Sequence, residues 1–204
     1  MSRTTPEEAF AEARAAMERG DWDGVFACLD PDNLLKIAEN GVARFLMGGE
    51  ATAAIFTALC AAHDVPGDMV AALHTLLQRI TESARVSVSQ ASRSEPGAML
   101  RQSLRHKQIV DEYRKALKAT LKAVPDLARF TAALERALRA DGGGGSVSSK
   151  LFVDEIVEEV SITGTRAWAT RRSAAGHSED VGFVRRRGQW YIRVLGKRPG
   201  GGRG

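Results

Sequence analysis

VDEIVEEVSITGTRAWATRRSAAGHSEDVGFVRRRGQWYIRVL, residues 153–195, is the stretch from which the fold is read. Short runs of Val, Ile, Phe, Trp and Tyr alternate with breaks rich in Gly and Ser, the pattern of strands joined by turns. Four strands are predicted: Val153–Ile162, Arg166–Arg172, Asp180–Arg187 and Trp190–Leu195. Gly164 and Gly188-Gln189 mark tight turns, since glycine supplies the positive φ that a short hairpin needs. A longer loop runs from Ser173 to Ser178. Short connections favour a meander of sequential antiparallel neighbours. Alternation puts Trp190, Ile192 and Val194 on one face of the last strand, and Tyr191, Arg193 and Leu195 on the other. On the second strand, Ala167 and Ala169 oppose Arg166, Trp168 and Thr170. Neither face is wholly polar, so both are expected to be partly covered.

Nearly everything before this stretch has helical periodicity. Thr5-Pro6-Glu7-Glu8 is a strong helix start, with Thr5 as N-cap, Pro6 in the first turn and Glu8 closing a capping box. Ala9, Phe10, Ala13 and Met17 follow at helical spacing, and Gly20 ends the run. Asp21 caps a second helix with Trp22, Val25, Phe26 and Leu29 on its apolar face. Asp30-Pro31 begins a third, carried by Leu34, Leu35, Ala38, Val42 and Phe45 as far as Gly48-Gly49. Helices are also expected over Ala51–Ala62, from Asp68 to Ile80, over Ala98–Val124 with Val110, Tyr113, Leu117 and Leu121 in line, and around Leu127, Phe130, Leu134 and Leu138. Val86–Ser89 alternates and reads as either a strand or a helix end. Ser92–Gly97 reads as loop, Gly142–Ser146 as a flexible hinge, and residues 196–204 as a disordered basic tail.

The expected organisation is a single α+β domain over residues 1–195. It consists of N-terminal helices (1–49), a large all-helical insertion (50–141), a Gly/Ser hinge (142–150) and a C-terminal sheet (151–195). No run approaches the roughly eighteen uninterrupted apolar residues of a membrane span, and the N-terminus lacks the layout of a secretory signal. A soluble cytoplasmic protein is expected. Cys28 and Cys60, the only cysteines, sit in apolar helical patterns and read as buried free thiols. Net charge is +4 but unevenly spread: from Arg166 onward there are ten Lys or Arg against two acids. Such a basic end attracts phosphate or acidic surfaces, or complements the acidic remainder of the chain itself.

Two parts of the chain resemble a known superfamily. Thr5-Pro6-Glu7-Glu8-Ala9 leading to Arg19-Gly20-Asp21-Trp22 looks like the opening helix pair of nuclear transport factor 2-like proteins. Val160-Ser161-Ile162-Thr163-Gly164-Thr165-Arg166-Ala167 and Gly188-Gln189-Trp190-Tyr191-Ile192 resemble its sheet. The resemblance implies N-terminal helices held in the hollow of a curved, cone-like antiparallel sheet with an apolar pocket between them. Phe10, Trp22, Phe26, Trp168, Phe183, Trp190 and Ile192 are the implied pocket lining. The helical stretch from Glu50 to Ala140 is then an insertion larger than the family usually carries. Enzymes of the superfamily, such as isomerases, dehydratases and cyclases, place Asp, His, Tyr or Arg inside that pocket.

The chemistry visible in the residues themselves is sparse. Asp21, Asp23, Asp30 and Asp32 lie at helix ends, where capping accounts for them. His63, His74, His106 and His177 are scattered, with no pair at metal-ligand spacing. His74 lies beside Leu73 and Leu77, the setting of a hydrogen-bonded histidine at the edge of a core. No nucleophile elbow, phosphate loop or dinucleotide fingerprint is present, so no metal and no cofactor is expected. Arg171, Arg172, Arg185, Arg186 and Arg187 form a candidate basic patch on paired strands, although alternation sends Arg186 to the face opposite Arg185 and Arg187. Its spacing matches no named nucleic-acid motif. The preferred function is a non-catalytic module binding a small apolar ligand or a protein partner, with a homodimer through the exposed sheet face expected. A pocket enzyme with acid–base chemistry is the alternative. Nucleic-acid binding by the arginine-rich sheet ranks third.

Overall fold

The computed structural model describes residues 3–47, 50–90, 96–140 and 152–194. These residues form helices α1 (Pro6–Glu18), α2 (Trp22–Ala27), α3 (Pro31–Met47), α4 (Glu50–Ala62), α5 (Gly67–Gln90), α6 (Pro96–Ala123) and α7 (Leu127–Ala140). Strands β1 (Glu155–Thr163), β2 (Arg166–Ser173), β3 (Ser178–Arg186) and β4 (Gln189–Arg193) follow. The chain divides into two compact units, Met1–Gly41 with Leu127–Gly204, and Val42–Asp126. The expected hinge at 142–150 and the tail at 196–204 lie outside the described residues. Among the described residues, no helix is long and apolar enough to cross a membrane.

In the first unit the strands form an open antiparallel meander, β1-β2-β3-β4, as their short connections require. The β3–β4 turn lies one residue earlier than the sequence suggests. Arg186 pairs with Gln189, so Arg187 and Gly188 are the central residues, at φ 49° and 83°. Positive φ at both positions is the type I′ geometry that matches the strand twist. In β1, Glu158 pairs with Thr170 but Ser161 pairs with Trp168, which leaves a bulge at Glu159 (φ 54°). Bulges of this kind bend a strand and sharpen its twist.

Helix α1 packs on the sheet and contacts both outer strands, β1 and β4. Outer strands of a flat four-stranded sheet stand about 14 Å apart, so one helix reaches both closely only if the sheet curls around it. Small residues permit this approach: Ala9, Ala13 and Ala16 on α1 and Ala167 and Ala169 on β2 are all buried. Phe10, Phe26, Phe152, Phe183, Trp190 and Ile192 complete one continuous core, and Phe10 meets Phe152 edge-on at 5.2 Å between ring centroids. The capping box at Thr5 is formed, with Glu8 N–H donating to Thr5 Oγ1 and the Glu8 carboxylate accepting from Thr5 N–H. Helix α7, which the sequence groups with the insertion, packs on α2 in this unit.

β4 does not end the sheet as a bare edge. Trp190 N–H donates to Arg3 O, Ile192 N–H donates to Cys28 O, and Asp30 N–H donates to Ile192 O, with Leu29 forming a parallel bridge to Ile192. Two early pieces of the chain therefore satisfy the backbone groups that an edge strand otherwise exposes.

The second unit holds α4, α5 and α6. Arg79 faces Glu112 and Ser83 faces His106, so α5 and α6 run antiparallel as a helical hairpin. Val86 lies within α5, which resolves the Val86–Ser89 ambiguity in favour of helix. Pro96 and Gly97 open α6 instead of ending a loop, consistent with proline's fitness for a first helical turn. The buried face of α6 is Ile109, Tyr113, Leu117 and Leu121, so Ile109 and not Val110 begins the apolar stripe. Burial pushes the Tyr113 hydroxyl pKa up to about 12.

Candidate functional site

The seven residues implied as pocket lining occupy three different settings. Phe10, Phe26, Phe183, Trp190 and Ile192 are at most 3% exposed and pack against one another as core. Trp22 is half-buried, stacks on Phe26 at 6.0 Å and carries the Arg139 guanidinium 4.4 Å above its ring. Trp168 is a correction to that set. It pairs with Gly182, whereas its neighbours Ala167 and Ala169 pair with the core residues Phe183 and Val181, so alternation turns it to the opposite face. There its indole covers Gly182 so closely that a Cβ would sit 3.2 Å from the ring.

The arginines predicted as a basic patch are largely engaged inside the first unit. Arg171 lies between Glu155, 3.1 Å away, and Glu179 on the paired strand. Arg172 meets Glu158 at 3.3 Å. Arg185 donates from Nε to Gly188 O, and Arg187 occupies the exposed β3–β4 turn. Arg186 reaches two carboxylates, Asp32 at 2.6 Å and Asp30 at 2.8 Å. The Asp32 hydrogen bond and both negative charges hold its pKa above the usual arginine value.

Asp30 is the residue that sequence reading undervalued. Its backbone carbonyl accepts from Asn33 and Leu34 at the start of α3, as expected of a helix-initiating position. Its side chain, however, is 2% exposed and lies between Arg186 and Arg193, the latter 3.4 Å away. These contacts are close ion pairs without hydrogen-bond alignment at Oδ1. Arg3 was likewise missed. It is 8% exposed, donates to Ala27 O at 2.7 Å and to Gln189 Oε1 at 3.3 Å, and lies 4.7 Å over the Tyr191 ring. Neither role has a local signature, because the partners lie far away in sequence.

Cys28 and Cys60 are free and buried. Burial raises the Cys28 thiol pKa, partly offset by the Arg3 guanidinium, and pushes Cys60 up to about 12. His74 hydrogen-bonds Thr57 Oγ1 at 3.1 Å and lies edge-on to Phe56, the expected core-edge arrangement. His177 is exposed in the β2–β3 loop. Among the described residues, no group of three or more His, Cys, Asp or Glu is placed to hold a metal ion.

A cleft of about 480 Å³ opens between α5 and α6, wholly within the second unit. Arg79, Glu82, Ser83 and Val86 line it from α5, and Arg101, Gln102, Arg105 and Ile109 from α6. Arg101 and Arg105 are one turn apart and therefore share a helix face. Arg79 is held by Glu112 at 3.2 Å. Arg101 and Arg105 meet no carboxylate among the described residues, and Gln102 Nε2 is buried without an acceptor. Ser83 Oγ lies 3.3 Å from His106 Nδ1. Val86, 44% exposed, and Ile109, buried, supply apolar surface. Sequence reading passed over this site because its residues are ordinary on each helix taken alone.

Searches of protein-family models, curated proteins and solved structures give no match to this chain.

Proposed function

We propose that the protein is a non-catalytic binding module, in which the sheet-containing unit is a packed scaffold of nuclear transport factor 2-like type and the α5–α6 hairpin carries the recognition surface. The observation that carries this reading is the cleft in the hairpin. Its volume is in the range of small-molecule sites, and it combines apolar walls with a few convergent polar groups. The aromatic residues of the first unit support the scaffold role, since Phe10, Phe26, Phe183, Trp190 and Ile192 fill space against each other. Asp30 is a poor candidate for acid–base chemistry. A carboxylate 2% exposed and flanked by guanidinium groups has no reach to a substrate atom.

The test is an amide-resonance titration of the full chain with a library of small fragments. Perturbations clustered on Ser83, Val86, Gln102, Arg105 and Ile109 are expected. Perturbations confined to the sheet, around Tyr191 and Arg193, would move the site to the first unit and overturn the assignment.

A further inference from the structure

We infer that the α5–α6 cleft binds a small organic anion, a carboxylate or phosphate ester attached to an apolar portion. This rests on the binding-module reading above and adds the chemistry of the ligand. The described lining carries three guanidinium groups, from Arg79, Arg101 and Arg105, against the single carboxylate of Glu82. Glu112 neutralises Arg79 from outside the lining. With Arg79 paired, Arg101 and Arg105, on one face of one helix, stand against Glu82 alone, so the lining keeps a net positive charge. Planar guanidinium groups present paired N–H donors that match the oxygens of carboxylate and phosphate. Gln102 projects from between them with a buried amide nitrogen lacking an acceptor, and a buried donor left unmade is costly. A carboxylate or phosphate head group brings several acceptor oxygens to this amide and to the two guanidinium groups. Val86 and Ile109 offer the same ligand an apolar wall. A bare inorganic ion would leave that wall in water, so the ligand is amphiphilic.

Calorimetric titrations of the full-length protein with octanoate, phenyl phosphate and inorganic phosphate, at an ionic strength held constant with chloride, test the inference. Saturable binding of octanoate or phenyl phosphate is expected, tighter than that of inorganic phosphate. The double variant R101A/R105A should weaken it at least tenfold, and Gln102→Ala should weaken it to a smaller extent. Lys118→Ala, which removes a positive charge from an exposed position on the same helix outside the lining, should leave it unchanged. Preference for octanoate assigns a carboxylate head group, and preference for phenyl phosphate assigns a phosphate ester. Equal affinities for wild type and R101A/R105A, or no saturable binding of any of the three, overturn the inference. The neutral dye Nile red separates this failure from failure of the module itself. If the dye binds wild type and is excluded by Val86→Trp, which fills the cleft, while no anion binds, the cleft is a binding site of another chemistry. If neither the dye nor any anion binds, both readings fall.

Discussion

Arginine does different work in the two units. In the first, Arg171 and Arg172 meet carboxylates of the neighbouring strands, and Arg186 and Arg193 meet Asp30 from a segment far away in sequence. In the second, Arg101 and Arg105 line a cleft and meet none among the described residues. The arginine-dense segment is thus the one whose charge is spent on holding itself together, and the unremarkable helix holds charge in reserve. A basic composition locates a functional surface only after internal pairing has been subtracted.

Breaking the contrast from the structural side should have the largest effect. Asp30→Ala empties a buried position, takes from Arg193 its carboxylate and leaves Arg186 with Asp32 alone, a loss of about 2 kcal/mol. It should appear in urea denaturation as a lower midpoint. Arg171→Ala is expected to cost about 1 kcal/mol by the same measurement, because its pairs are only partly buried. R101A/R105A should leave stability within about 0.5 kcal/mol of wild type while abolishing anion binding. A destabilisation as large as that of Asp30→Ala would show that these two arginines are structural after all.

The two cysteines sharpen the comparison, since each unit holds one. Cys28 and Cys60 are buried with raised thiol pKa values, so neither should react with an aromatic disulfide reagent in the native protein at pH 8. Asp30→Ala should accelerate labelling of Cys28 and leave Cys60 at its wild-type rate. Equal acceleration at both sites would mean that the units open together.

The smallest expected effect is at the start of α1. Hydrogen bonds from the Thr4 hydroxyl, Thr4 N–H and Thr5 N–H lower the Glu8 pKa. A lowered carboxylate stabilises the fold above its unfolded pKa, and that contribution disappears as pH falls through the folded value. Glu8→Gln should therefore be less stable than wild type at neutral pH, and the difference should close in acid. A gap that persists at acid pH would rule out the ionised carboxylate as its source.

Much of the fold was legible in the sequence, because strands, turns and caps are written locally. Thr5 and Glu8 announce a capping box three residues apart, and Gly188 places a hairpin turn to within one residue. The sheet order followed from short connections alone. What stayed hidden depends on distant partners. Nothing near Asp30 predicts Arg186 and Arg193, and nothing near Arg3 predicts Gln189 and Tyr191. Trp168 was misassigned because an aromatic residue in a strand looks equally at home on either face until register is known. The cleft was invisible for a related reason: Arg79, Ser83, Gln102 and Arg105 become neighbours only through the pairing of two long helices.

The seam along β4 also bears on how the molecule is made. The unit Val42–Asp126 is one uninterrupted piece of chain, so it can assemble as soon as it is synthesised. The other unit cannot. Arg3 and Cys28 are translated long before the strand whose backbone they complete. Until the sheet arrives, α2 can pack on α7, but the face of α1 that meets β1 and β4 stays uncovered. Products stalled before the sheet would therefore carry a finished helical hairpin together with an α1 whose apolar face is bare.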